Sequence, residues 1–512
     1  MQISIGISVK GAGVSGPPPA LFTTEWTTTA NSELIALPYT FAGTYSGTID
    51  WGDGNTDTSS YANSTHTYAT AGTYTIIITG DCIGWDMGST IFGSTYWTSV
   101  VNWGQLQLGN LNSGYNFAFC PNLDLSSVQG TLDLTDVINL DGLFYDCTSL
   151  TTINNINSWD TSAITTISEM FSGCTSFNQA LSFNTSAVTS MSNMFKNCSV
   201  FNSALTFSST SAVTDMSAMF YNCSAFNQSV NFISTLNVLN TSAMFYNCSV
   251  FNGAINSLFP SVLKSKVEDI SLMFYGCSAF NEAINWNTFA VTNMGNMFEN
   301  CSIFNAPVTF TTTANVTNMK AMFASCTVFN QSLSFNTSAV TDMRSMFQGA
   351  EAFNQNIGTW NIGKVERVDY MFSGAITFDN FNQSIDSWDT STIISMTGMF
   401  FQCTSFNKNI GTWNTGAVTD MSEMFLGALA FDRDIGAWDV ANVENFSNFM
   451  GDKTPATFST NFLDAIYNGW STQAVQPSLD ISFGTAKYTA AATAGRLVLT
   501  GTKLWTITDG GL

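Results

Sequence analysis

The sequence predicts an α/β repeat solenoid of about fourteen coils, each a short helix followed by a strand, with a small β-module in front. Three observations carry this. An aromatic anchor recurs at Phe117, Phe144, Phe171, Phe195, Phe220, Phe245, Phe274, Phe298, Phe323, Phe347, Phe372, Phe400, Phe425 and Phe449, mostly every 24 or 25 residues. In the copy VTDMSAMFYNCSAFNQSV (213–230), Met216, Met219, Phe220 and Cys223 fall at i, i+3, i+4 and i+7, one apolar stripe at helical spacing. A unit this short cannot bury its stripe alone, so neighbouring copies must stack into a shared core.

Each element follows in order. Residues 2–10, QISIGISVK, alternate apolar and polar as a strand does, and the Gly/Pro linker after them ends near residue 21. The segment 1–21 is expected to be a docking strand that adds to the sheet of another protein, the alternative being a frayed end. Residues 22–100 hold the β-module and its junction. WGDG (51–54) is a turn signal and TYTIIIT (73–79) alternates as a strand. The repeats occupy 101–451, with Thr214 placed to cap the helix of its copy and the stretch after Asn227 placed to form the strand. Residues 452–512 lose the period and read as a C-terminal cap, with helices near 461–470 and 488–499.

Two resemblances follow from these motifs. The WGDG turn, the THTY segment (65–68) and the AGTYTIII segment (71–78) resemble a PKD-type immunoglobulin-like β-sandwich, which implies a non-catalytic spacer or adhesive module. The repeat form VTxMxxMFxxCxxFNQ, seen again in ITTISEMFSGCTSFNQAL (164–181), resembles BspA-like leucine-rich-repeat surface proteins over about two thirds of the chain. That resemblance implies a surface-exposed adhesion or recognition protein.

Three columns of equivalent residues are the candidate site positions. Cys120, Cys147, Cys174, Cys198, Cys223, Cys248, Cys277, Cys301, Cys326 and Cys403 share one repeat position, which Ala350, Ala375 and Ala428 fill elsewhere. Alanine neither ligates a metal nor forms a bridge, so buried free thiols are expected there. Asn178, Asn202, Asn227, Asn252, Asn281, Asn305 and Asn330 form a second column, continued by Asn354, Asn382, Asn407 and Asp432. Their amides are placed to bond one another and the turn backbone of adjacent coils. An aromatic column runs from Phe183 and Phe207 to Trp286 and ends in Trp360, Trp388, Trp413 and Trp438. These four indoles are the candidates for a ligand-facing strip, with core packing as the alternative.

Charge and motifs bound the function. The chain carries 36 acidic and 14 basic residues, a net charge of -22, and has no Lys or Arg between Gly11 and Phe195. Binding phosphates needs clustered Lys and Arg, so nucleic acid is excluded as a partner. With no uncharged apolar run of ~18 residues, membrane insertion is excluded too. His66 is the single histidine. A Ser–His–Asp device would have to use it, and no nucleotide or HExxH motif is present. Glu169 and Glu423 occupy equivalent positions many coils apart, so they cannot meet as a hydrolytic pair. Asp50, Asp53 and Asp57 leave room for weak calcium binding in the β-module, with turn capping as the alternative; no other cofactor is expected.

The expectation is therefore a non-enzymatic adhesin that binds a host cell-surface glycan or protein. Without an export signal or anchor in the sequence, display on a virion is expected, as a bacteriophage tail or capsid fibre-like protein. The residue 1–21 strand would dock it to a virion structural protein. A bacterial cell-surface adhesin is the alternative, and a polysaccharide-degrading enzyme a more distant one.

Overall fold

The computed structural model describes residues 20–88, 93–109, 113–230, 234–256, 265–375 and 385–512, with Phe232 and Leu258. The expected docking strand at residues 2–10 lies outside the described residues.

Strands Phe22–Thr28 and Gly72–Ile78 pair antiparallel along their whole length, Phe22 opposite Ile78 and Thr28 opposite Gly72. Phe22, Thr24, Trp26 and Thr28 point inward in strict alternation, which fixes the register against a one-residue slip. The two are central in a five-stranded sheet ordered Thr56–Thr58, Thr48–Asp50, Gly72–Ile78, Phe22–Thr28, Trp97–Asn102. A three-stranded sheet of Leu106–Gln107, Cys82–Trp85 and Tyr39–Tyr45 accompanies it. The WGDG turn closes on its own carboxylates: Asp50 Oδ1 accepts from the Gly52 N–H at 2.9 Å and Asp53 Oδ1 from the Asn55 N–H at 3.0 Å.

Strand Trp97–Asn102 runs across the expected boundary at 100/101. One of its edges pairs with Phe22–Thr28, while Ser99 and Asn102 form parallel bridges to Asp124 and Gln129 on the other. An edge that would otherwise invite aggregation is thus covered by the first repeat.

From there the repeats pair with one another in parallel. Bridges join Asn139, Thr166, Ser190, Asp215, Asn240, Asp269, Asn293, Asn318, Asp342, Arg367, Ser395, Asp420 and Asn445 in succession, each to the equivalent residue one repeat on. Where each repeat was expected to place a short helix, none forms: between 101 and 451 the described residues hold no α-helix. The Met216–Cys223 stretch is instead a run of turns bonded to its neighbour. The N–H groups of Met216, Ala218, Phe220 and Asn222 donate to the carbonyls of Asn240, Ser242, Met244 and Tyr246, at 2.7–3.0 Å. Ala218 and Asn222 are left-handed, with φ of 52° and 59°, and the same two positions are left-handed in the neighbouring copies. A helix cannot contain such residues every fourth position, whereas a stack of identical turns can. Nor does Thr214 cap a helix; its hydroxyl donates to the Thr189 carbonyl one repeat back, at 3.2 Å.

The apolar stripe survives the change of backbone. Val213, Met216, Met219, Phe220, Cys223 and Phe226 are all buried. Anchor rings stack between repeats, as in Phe195–Phe220 (5.7 Å) and Phe220–Phe245 (5.5 Å), and within a repeat Phe220 stacks on Phe226 at 4.2 Å. Each buried ring contributes about 1.5–3 kcal/mol, and the column makes these contributions continuous along the stack.

The C-terminal segment closes the far end. Helices form at Thr460–Trp470 and Thr493–Leu497, near the expected places. Strand Asp480–Ser482 pairs parallel with Thr506–Thr508, and Ile481 bridges Phe446 of the last repeat. Lys453, 1% exposed, donates from Nζ to the carbonyls of Ala428 and, at 2.8 Å, Phe431. Both carbonyls belong to the repeat anchored at Phe425, so the amine ties the end of the last repeat to the one before it. No helix among the described residues is long and apolar enough to cross a membrane.

Candidate recognition surface

The cysteine column is buried and unbridged; every one of the eleven thiols is free. The thiols do more than fill space. From Cys147 onward each thiol of the column donates to the carbonyl of the anchor Phe one repeat back, as in Cys174 to Phe144 at 3.0 Å, Cys198 to Phe171, Cys223 to Phe195, Cys277 to Phe245 and Cys301 to Phe274 at 2.9 Å, Cys248 to Phe220 and Cys326 to Phe298 at 3.0 Å. Cys120 in the first repeat turns instead to the Ala118 carbonyl at 3.4 Å. Among the described residues no group of three His, Cys, Asp or Glu side chains could hold a metal ion. Accordingly, Ellman's reagent is expected to label none of the eleven thiols in the folded chain and all of them in denaturant. Fewer than eleven in denaturant would reveal a bridge, and early labelling an exposed site.

The asparagine column stands at the surface and its amides bond backbone. From Asn178 through Asn330 the Oδ1 of each residue accepts the N–H of its counterpart one repeat on. Asn178 takes that of Asn202, Asn202 that of Asn227 and Asn305 that of Asn330, all at 2.9 Å; Asn227 takes that of Asn252, Asn252 that of Asn281 and Asn281 that of Asn305, all at 2.8 Å. Asn382 lies outside the described residues. The column holds successive turns at a fixed spacing, so its acceptors are committed to the fold.

The four late tryptophans do not face a ligand. Trp360, Trp388, Trp413 and Trp438 are 5%, 4%, 4% and 0% exposed and line the core. Trp413 Nε1 donates to the Ile385 carbonyl at 2.9 Å and Trp438 Nε1 to that of Ile410 at 3.0 Å. Trp470, from the first C-terminal helix, completes the series on the Ile435 carbonyl at 3.3 Å. An indole N–H that reaches a buried carbonyl one repeat back explains why Trp replaces Phe at these positions.

Among the described residues of the N-terminal module no carboxylates converge as a calcium site. Asp57 accepts from Trp51 Nε1 at 2.8 Å, Asp53 pairs with His66 Nε2 at 2.9 Å, and Asp50 caps the turn. The His66 ring stacks on Trp51 at 4.8 Å, so the single histidine is built into this structure.

Outward-facing features lie elsewhere, on the two left-handed positions and the residues between them. Tyr221, Tyr246 and Tyr275, each directly after an anchor Phe, form a half-exposed stack with rings 4.4 Å apart and within 4° of parallel. Lys196 Nζ caps it 5.5 Å from the Tyr221 ring. Burial and the flanking tyrosines push the Tyr246 hydroxyl up to about 12. Beside the rings Asn222 Nδ2 donates to Asn197 Oδ1 at 2.9 Å, and Asn247 Nδ2 to Asn222 Oδ1 at 3.2 Å. Reading the residue after each anchor as its own column would have exposed this strip.

A second feature spans three repeats. The Tyr115 hydroxyl donates to Glu169 Oε2 at 2.5 Å, crossing Gly142 of the repeat between them. The same arrangement recurs as Tyr370, Gly398 and Glu423, with a 3.0 Å hydrogen bond. All six residues stand two before their anchor Phe.

A sequence-family profile described as "Mycoplasma protein of unknown function, DUF285" matches residues 123–258, 261–335, 311–380 and 377–491. Comparison with curated proteins and with solved structures returned no match.

Proposed function

The chain belongs to the DUF285 family, the family of BspA-like repeat proteins, and from this we propose that it is a non-enzymatic surface-recognition and adhesion protein. One observation carries the reading. The described repeats present side chains in register on parallel-bridged turns, so a stack of tyrosines and a line of amides face outward on a rigid backbone. Large, rigid rings beside adaptable amides are the composition that binding surfaces favour. On this reading the repeats form a solenoid that presents the surface, and the N-terminal sheets act as a PKD-like spacer.

The test is binding of the fluorescently labelled chain to intact cells of candidate hosts. Saturable binding, with no release of reducing ends from envelope polysaccharide, is the expected result. Absence of saturable binding across hosts sinks the adhesion reading, and release of reducing ends would replace it with an enzyme. Fractionating the native source assigns the display surface: co-purification with particles supports the virion placement, and co-purification with envelopes the bacterial one.

A further inference from the structure

We propose that Tyr115 and Tyr370 are the platforms of two equivalent carbohydrate subsites that bind neutral pyranose units. The proposal rests on the adhesion reading and names the ligand class and the place.

Each platform is built from three successive repeats. Tyr115 is left-handed (φ 57°) and its ring lies where a Cβ on Gly142 would stand. Only glycine, itself left-handed there (φ 56°), leaves room for the ring. Glu169, two repeats on, then fixes the far end of the ring through the phenol hydroxyl at 2.5 Å. At the second place Tyr370 (φ 53°) lies over Gly398 (φ 55°) and donates to Glu423. Two side chains and a glycine are thus spent at each place on laying an aromatic ring flat against the stack while leaving it half-exposed.

The chemistry selects the ligand. An aromatic face carries negative quadrupole density and attracts the polarised C–H groups on the apolar side of a pyranose. Glu169 and Glu423 each give one oxygen to the phenol, and the second carries no hydrogen bond among the described residues. That oxygen stands at the ring's edge, where it accepts from a sugar hydroxyl. A ring already locked in place loses little entropy when a ligand settles on it. Beside Tyr115 an open cleft of about 340 Å³, lined in part by Asp86, Ser113 and Phe119, gives a sugar room to enter.

A cationic ligand is the competing chemistry, since Asp86 and Glu169 both lie near Tyr115. What the two places share decides against it. Asp141 beside Tyr115 is held by Thr166 and Ser168, and beside Tyr370 Asp369 pairs with Arg367 at 2.9 Å while Asp420 bonds Ser422 and Asn445, so what the two places share is a ring, a glycine and one open glutamate oxygen. Anionic sugars are disfavoured by a chain of net charge -22.

The two platforms are ten repeat steps apart, roughly 48 Å at ~4.8 Å per step. A hexasaccharide therefore occupies one subsite, whereas a polymer bridges both and gains avidity.

Calorimetry with cellohexaose, mannohexaose and chitohexaose, and with the polymers hydroxyethyl cellulose, mannan and glycol chitin, tests this. One of the three sugar types is expected to bind, at two sites per chain, and its polymer at least tenfold tighter than its hexasaccharide. Tyr115→Ala and Tyr370→Ala each remove one site, and the double variant binds neither form. Tyr115→Phe and Tyr370→Phe keep the ring and lose the clasp, so two sites remain with affinity lowered a few-fold. Circular dichroism verifies that each variant is folded. Failure of all six probes, binding of poly-lysine in their place, or binding that survives the double variant overturns the proposal. Cell binding that persists in the double variant overturns the subsites and leaves the adhesion reading standing. Sugar binding lost in the double variant, without any binding to cells, sustains the subsites and removes that reading.

Discussion

Raising the pH from 8 to about 10.5 is expected to unfold the chain in one steep transition, because its buried thiols are ionised only in the unfolded state. Burial pushes the Cys82 thiol up to about 12. Burial likewise pushes Cys120, Cys174, Cys198, Cys223, Cys248, Cys277, Cys301, Cys326 and Cys403 well above the ordinary thiol range. In the unfolded chain a thiol ionises at about 8.5. Above that pH the unfolded chain gives up protons that the native chain keeps, so stability is full below about 8.5 and falls as pH rises toward the folded values. Each thiol costs about 1.4 kcal/mol per pH unit in this window. Ten acting together reach on the order of 14 kcal/mol per unit, comparable with the whole stability of a native domain. Lys453 acts in the opposite sense. Its burial lowers the amine to about 8, so between there and the ordinary lysine value the native chain binds fewer protons and is favoured as pH rises. One amine cannot offset ten thiols. Thiolate absorbance near 240 nm and far-UV circular dichroism, followed together, check this. The two signals should change at the same pH; thiolate forming gradually from pH 8.5 with the dichroism intact would show that the column is open to solvent.

The thiol column was legible in the sequence because Ala350, Ala375 and Ala428 define what the position tolerates, and burial is a property of the register alone. The backbone was not. An i, i+3, i+4, i+7 stripe arises in a helix, but equally in turns that close every few residues, since both return side chains to one face. The contrary signal stood directly before the column, in Asn197, Asn222, Asn247 and Asn300 and in the glycines at 173, 276, 349, 374 and 427, all with positive φ. Asn and Gly are the residues that tolerate the left-handed region, and their return every repeat excludes a helix through that point. Trp360, Trp388, Trp413 and Trp438 could not be placed inside or outside from their register, because the carbonyls that receive the Trp388, Trp413 and Trp438 indoles lie about one repeat back. The Tyr115–Glu169 contact was further out of reach: its ends are 54 residues apart and nothing local links them.

Replacing Phe274 by alanine is expected to have the largest effect of any single apolar substitution in the array. The ring is fully buried and stacks on Phe245 and Phe298 at 5.7 Å each, on Phe280 at 4.2 Å and against Trp286 at 6.1 Å. Its neighbours belong to parallel-bridged turns that cannot close over the gap without breaking register, so the cavity term adds to the lost burial and the cost is about 3–5 kcal/mol. In a stack each repeat contacts only the next, so one missing ring weakens two interfaces in the middle of the array and leaves the rest unchanged. Denaturant unfolding, expected as a single transition in the parent chain, should therefore separate into two, each with a smaller dependence on denaturant because each exposes less surface. Phe119→Ala, at a ring 39% exposed, should leave the midpoint nearly unchanged and serves as the control. The same lesion probes the two subsites. If Tyr115 and Tyr370 are joined by a rigid stack, weakening its centre should lower the affinity for a polymer that bridges them while each platform still holds a hexasaccharide as before. A single transition with an unchanged slope would mean that stability is shared across the whole chain and not passed from one repeat to the next.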